Sequence, residues 1–184
     1  MLSKEELKTL VHNSCSKNKQ LYMETQESGL DKLKGFVNAG DIAMLCTLQE
    51  EEIHSRPMAT SDIDEAGNIW FFTNGYAPKV DEVQNNQNIT LCYSDHNDST
   101  YVCIKGTGSL VTDRSKMEEL FNPMVKAFFP KGLDDPRLAL LKVEPKQAEY
   151  WDSPSSSMVR FMGMLGAAVT GKKYSGGDHG KIDL

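Results

Sequence analysis

Residues 53–80, IHSRPMATSDIDEAGNIWFFTNGYAPKV, constrain the fold of this chain more than any other stretch. They read as a strand, a turn, a second strand, and a loop running into a helix. The first strand carries Ser55, Arg56, Pro57 and Met58. Asp62, Asp64 and Gly67 supply turn chemistry. Residues 69–73, IWFFT, are almost wholly apolar and aromatic, which suits a pleated surface. Thr73, Asn74, Gly75, Tyr76 and Lys79 follow in close order, and Pro78 opens a helix. A cation, hydroxyl and amide groups, and a glycine that admits close backbone approach meet the needs of a phosphate. Lys79 in the first helical turn adds that end's dipole and free N–H groups.

The remaining elements arrange themselves around this stretch. Residues 3–23 read as a helix, with Ser3 and Glu6 as a capping box. Residues 31–38 form a short second helix with Leu33, Phe36 and Val37 inward. Residues 41–49 are a first strand, closed by a solvated hairpin turn at Glu50, Glu51 and Glu52. Val80 and Val83 face inward from the helix after the second strand pair. Residues 88–94 and 100–112 are further strands, and Gly106 and Gly108 inside the latter mark a bulge or bend. Asp113 caps a helix whose apolar face is Met117, Leu120, Phe121, Met124, Phe128 and Phe129, kinked or split by Pro123. Residues 138–143 and 147–151 read as two strands broken at Glu144 and Pro145. Residues 158–169 read as a last helix, and residues 174–184 as a polar, frayed tail. Strands with short turns and helices at the edges specify a mainly β (α+β) fold, a β-barrel with helical additions.

Several function classes are excluded. At 184 residues the chain suits one domain with a proper core, and its net charge of −6 is wrong for a nucleic-acid surface. No apolar run is long enough to span a membrane, and the charged start MLSKEELKTLVHNSC is no signal peptide, so a cytoplasmic protein is expected. The four histidines, His12, His54, His96 and His179, are isolated, without the spacing of a zinc hydrolase. No nucleophile elbow or phosphate loop is present. Cys15, Cys46, Cys92 and Cys103 lie far apart, three of them in apolar runs, and are expected as buried free thiols.

Arg56-Pro57-Met58, then WFFTN at 70–74 and Lys79 at the next helix start, resemble the FMN-binding split-barrel superfamily of pyridoxamine 5′-phosphate oxidase. The likeness is closer to its general stress protein 26 branch. CYSD at 92–95, YVCIKGTG at 101–108, Tyr150-Trp151-Asp152 and AAVTGKK at 167–173 agree with that branch. The resemblance implies an N-terminal helix and linker over 1–30, a split-barrel domain over 31–173 and a tail over 174–184. It implies a six-stranded antiparallel split β-barrel that forms a homodimer with flavin sites at the interface.

Carried over residue by residue, Arg56, Pro57 and Met58 would lie along the isoalloxazine, Arg56 near its polar edge or the phosphate. Phe72 and Thr73 would flank the cofactor, and Tyr76 and Lys79 would hold the phosphate. Tyr93, Ser94, Asp95 and Trp151 would come from the partner chain. The resemblance implies FMN, alternatively FAD, and a flavin-dependent oxidoreductase. The chain lacks the Arg-rich C-terminal element of pyridoxamine 5′-phosphate oxidase itself, which argues against that reaction. The alternatives are a non-catalytic flavin-binding stress or sensor protein, a split barrel using deazaflavin or haem, and a structural or interaction barrel with an empty cleft. Nothing in the sequence nominates a catalytic acid or base, or a substrate.

Overall fold

A computed structural model describes residues 29–97, 99–152 and 178–184. The expected helices over 3–23 and 158–169, and Cys15, lie outside the described residues. Residues 29–36 form α1, which buries Leu33 and presents Phe36 to the core, with Val37 buried just beyond it.

Alternation then decides the strands. In β1 (Ile42–Gln49), Ala43, Leu45 and Thr47 are buried while Ile42, Met44 and Leu48 remain exposed. Glu50 and Glu51 take positive φ (48° and 71°) and fold β2 (Glu52–Ala59) back antiparallel, with Gln49 opposite Glu52. A turn of this hand matches the twist of the strands it joins. There follow β3 (Asp62–Ile63), β4 (Ile69–Asn74), α2 (Pro78–Asn85), β5 (Asn88–Asp95), β6 (Thr100–Val111), α3 (Arg114–Leu120), α4 (Pro123–Phe128), β7 (Leu138–Asp152) and β8 (Asp178–Asp183).

The strands make one antiparallel sheet in the order β2-β1-β5-β6-β7-β4-β3, with β8 also on β7. The six long strands of a split barrel are β1, β2, β4, β5, β6 and β7; β3 and β8 add to them. The sheet does not close. Its two edges, β2 and β3, are joined by the chain itself at Thr60 and Ser61. There the Thr60 amide donates to Asp41 O (2.9 Å) and the Ser61 amide to Trp70 O (2.7 Å).

Three expectations need correction. The break at Glu144 and Pro145 is a bulge inside the single strand β7. The β6–β7 register shifts between Lys105 and Gly106, and Gly106 faces Pro145. A Cβ at Gly106 would stand 2.4 Å from Glu144 O, so this glycine admits the irregularity. The supposedly frayed tail ends in β8, whose Ile182 is buried and whose Lys181 pairs with Glu149 at 3.1 Å. The third correction concerns the thiols: Cys46, Cys92 and Cys103 are only partly buried and lie on the outer sheet face.

The core has two parts. Phe71, Leu45, Ile69, Leu91, Ile104 and Val143 fill the barrel. Trp70, Leu138 and Leu140 face the other way, against Met117 and Val125 of α3 and α4. Strand β4 is therefore buried on both faces, which is why its sequence is nearly all apolar. Asp113 accepts from the Lys116 amide and Asn122 from the Met124 and Val125 amides, so each short helix has its own cap and Pro123 splits the pair. Met124 and Phe128 are exposed rather than part of a single apolar face. Among the described residues no helix is long and apolar enough to cross a membrane.

Candidate functional site

Strand β2 and helix α2 bring Arg56, Met58 and Lys79 together. The alternation of β2 sends His54, Arg56 and Met58 to one face and leaves Ile53, Ser55 and Pro57 on the other, exposed. Pro57 is tolerated because β2 is an edge strand. On the inward face Lys79 Nζ lies 3.1 Å from Met58 Sδ.

Arg56 is already engaged. One guanidinium nitrogen donates to Glu82 Oε2 at 2.6 Å and another to Thr47 Oγ1 at 2.6 Å. Thr47 Oγ1 donates in turn to Glu82 Oε2 (2.5 Å), and His54 Nδ1 meets Glu82 Oε1 at 2.9 Å. Glu82 is 4% exposed. Burial raises its pKa, but His54, Thr47 and Arg56 more than offset this and hold it at about 2. Sequence alone does not single out Glu82 or Thr47, and it reads His54 only as an isolated histidine. The available signal was polar alternation at His54 and Arg56 on a strand, opposite a helix carrying a carboxylate one turn beyond Lys79.

Lys79 differs. Burial, and then the neighbouring Arg56 charge, push its pKa below the ordinary lysine value, with Glu82 opposing. Among the described residues no carboxylate forms an ion pair with it. Thr73, at the end of β4, is 2% exposed, and its Oγ1 has no hydrogen-bond partner among the described residues. The turn between them is held by backbone: Gly75 N donates to Arg137 O (2.7 Å) and Ala77 N to Asn74 O (3.0 Å). Ala77 precedes α2 and offers no side-chain cap. A Cβ at Gly75 would meet only ordinary contacts at 3.5 and 3.6 Å, so the fold itself does not demand glycine there. Tyr76 is 77% exposed, and its amide donates to Asn74 Oδ1.

The other expected residues sit apart from this junction. Phe72 points to the opposite face of β4 from Thr73 and packs edge-on against Phe121, so only its backbone is open to the Thr73 side. Tyr93 is a core residue; its hydroxyl lies 2.9 Å from Thr60 Oγ1, and burial raises its pKa. Tyr93 also lines the cleft formed with Ser94 and Asp95. Ser94 and Asp95, with Asp41, Ile42 and Thr100, line a cleft of about 670 Å³ that excludes Thr73, Tyr76 and Lys79. Trp151 is 40% exposed, stacks on His179 with ring centroids 5.0 Å apart, and lies opposite Tyr101.

Comparison with known proteins agrees with this architecture. The family described as pyridoxamine 5′-phosphate oxidase like matches residues 28–175. A crystal structure from Jannaschia sp. CCS1, named for general stress protein 26, superposes with a TM-score of 0.68 at 22% identity. It covers 88% of this chain and 99% of that one. The general stress FMN/FAD binding protein from Xanthomonas citri gives a TM-score of 0.61 at 28% identity, covering 73% and 92%. The protein bli-3 of Neurospora crassa is 24% identical over 168 residues, covering 84% of this chain and 80% of its own length.

Proposed function

The chain belongs to the pyridoxamine 5′-phosphate oxidase-like family, in its general stress protein 26 branch, and on that premise we propose that it binds FMN or FAD. One observation carries the proposal. The β4–α2 junction carries, six residues apart in the chain, a half-buried ammonium with no ion-paired carboxylate and a buried hydroxyl with no hydrogen-bond partner among the described residues. Unsatisfied groups of this kind are costly unless something completes them. An ammonium and a hydroxyl are both donors that phosphate oxygens accept from, so the donor set fits the anionic tail of a flavin. Tyr76 stands exposed at the rim.

Arg56 serves differently from its expected role. Held by Glu82 and Thr47, it fixes β2 against α2 and contributes positive potential rather than a direct contact. Pro57 and Met58 then offer backbone and apolar surface for the ring. The flavin, when bound, supplies hydride transfer through its N5, and the protein holds and orients it. This reading makes the protein an oxidoreductase acting on a small molecule in the cytoplasm.

We also propose a homodimer. Ser94 and Asp95 line a cleft that does not include Lys79, and Ile42, Met44, Leu48 and Ile53 form an exposed apolar sheet face among the described residues. A second copy covers that face and brings its own Ser94, Asp95 and Trp151 toward the ring. The test is an absorbance spectrum of purified protein with and without added FMN or FAD, together with its melting temperature. Flavin bands retained by the protein, or a rise in Tm with flavin, support the proposal. No bound flavin and no change in Tm at excess FMN and FAD overturn it.

A further inference from the structure

Register brings together thiols that are remote in the chain. Cys92 of β5 faces Cys103 of β6 directly, and their sulfurs are 3.1 Å apart. The Gly108 amide donates to Gln87 O, which fixes the ladder's alternation and makes Cys92 and Cys103 a non-hydrogen-bonded pair. Cα atoms in such pairs are about 4.5 Å apart, within the span a disulfide bridges, so no strand has to move. Cys46 lies one strand over on the same face: Met44 is opposite Cys92, and Cys46 is two residues along. Its sulfur is 3.3 Å from Ser55 Oγ. Among the described residues no group of His, Cys, Asp or Glu is suited to a metal ion, so metal binding does not explain the cluster.

We propose that Cys92 and Cys103 are a redox-active dithiol that closes to a cross-strand disulfide on reaction with a low-molecular-weight disulfide. The Cys103 thiolate attacks one sulfur of the oxidant, forms a mixed disulfide and expels the first small thiolate, which takes up a proton. Cys92 then loses its proton and attacks the Cys103 sulfur, expelling the second small thiolate. Two protein thiols are oxidised to one disulfide, and one small disulfide is reduced to two small thiols. Because the two sulfurs face each other, Cys92 can equally open the sequence with Cys103 resolving it. Three partly buried thiols on one face give the pair a competitor in Cys46 and a defined preference through register.

The proposal does not depend on flavin binding. The test exposes the folded protein to glutathione disulfide, blocks remaining thiols, and maps linkages by mass spectrometry. The measurement is made at dilute and at concentrated protein, so that a second copy covering the face does not hide the pair. The expected result is a mass lower by two hydrogens, a linked Cys92–Cys103 peptide, and full reversal by dithiothreitol. Cys46→Ser should leave this intact. Cys92→Ser should stop at a glutathione adduct on Cys103, and Cys103→Ser at one on Cys92. Persistence of both thiols at both concentrations overturns the proposal, as does a preferred linkage that includes Cys46.

Discussion

Glu82 and Lys79 stand three residues apart on α2, close enough to share a helix face, yet their surroundings differ in kind. The Glu82 carboxylate is enclosed by Arg56, Thr47 and His54, and the charges and hydrogen bonds in this group are met within the chain. Lys79 touches a thioether, and Thr73 Oγ1 touches no polar group among the described residues. Both clusters are polar and both sit against α2. The first stabilises the fold as it stands. The second leaves a buried hydroxyl without a partner among the described residues, which costs stability. On the proposed reading, polar satisfaction separates the scaffold from the binding site where residue type alone does not, since Arg56 and Lys79 are both cations on the same patch.

The largest effect should come from the satisfied cluster. Glu82→Ala leaves a part-buried guanidinium, an imidazole and a buried hydroxyl without their acceptor, and stability should fall by about 3–5 kcal/mol in urea unfolding. A fall under about 1 kcal/mol would erase the contrast. Acid tests the same cluster without a truncation. Glu82 titrates lower in the folded chain (about 2) than its ordinary value of 4.5. Its stabilisation is thus whole above pH 4.5 and is lost as pH falls through the folded value. About 3 kcal/mol should disappear across that window, and Glu82→Gln should flatten the dependence.

The unsatisfied cluster should respond in the other sense. Lys79→Met should weaken flavin binding by about 2 kcal/mol, some thirtyfold in Kd by fluorescence titration, while the flavin-free Tm holds or rises. Thr73→Val should have the smallest effect and the most informative sign. It removes an orphaned hydroxyl, so the flavin-free protein should gain about 1 kcal/mol while its flavin affinity drops. Loss of stability in Thr73→Val would place the hydroxyl with the scaffold instead.

Legibility in the sequence follows the same division. The β4–α2 junction could be read because its signals are local: an apolar strand, turn residues, then Pro78 and Lys79 opening a helix. The six long strands could be read for the same reason, through alternation and turns. The role of Arg56 could not, because alternation shows which face a side chain takes but not that Glu82 waits opposite it. The thiol pair was hidden behind the β5–β6 register, which no local pattern fixes. Pro145 suggested a break because its missing N–H is usually disruptive, yet a bulge opposite Gly106 absorbs it. Strand β8, DHGKID, buries only Ile182 and showed no apolar run to announce it.

The corner at Thr60 and Ser61 carries a mechanical consequence. Elsewhere neighbouring strands of the barrel are joined by rows of hydrogen bonds, but its two edges are tied by continuous backbone and a few bonds around these residues. Such a seam opens like a book along its spine, at little cost in broken ladder. Breathing of the barrel would be concentrated there, with Thr60 and Ser61 amides exchanging ahead of those in β6 and β7. Arg56 and Met58 lie just upstream of that spine and Lys79 lies across from them on α2. Because Arg56 ties β2 to α2, motion at the seam would separate β2 and α2 together from β3 rather than from each other.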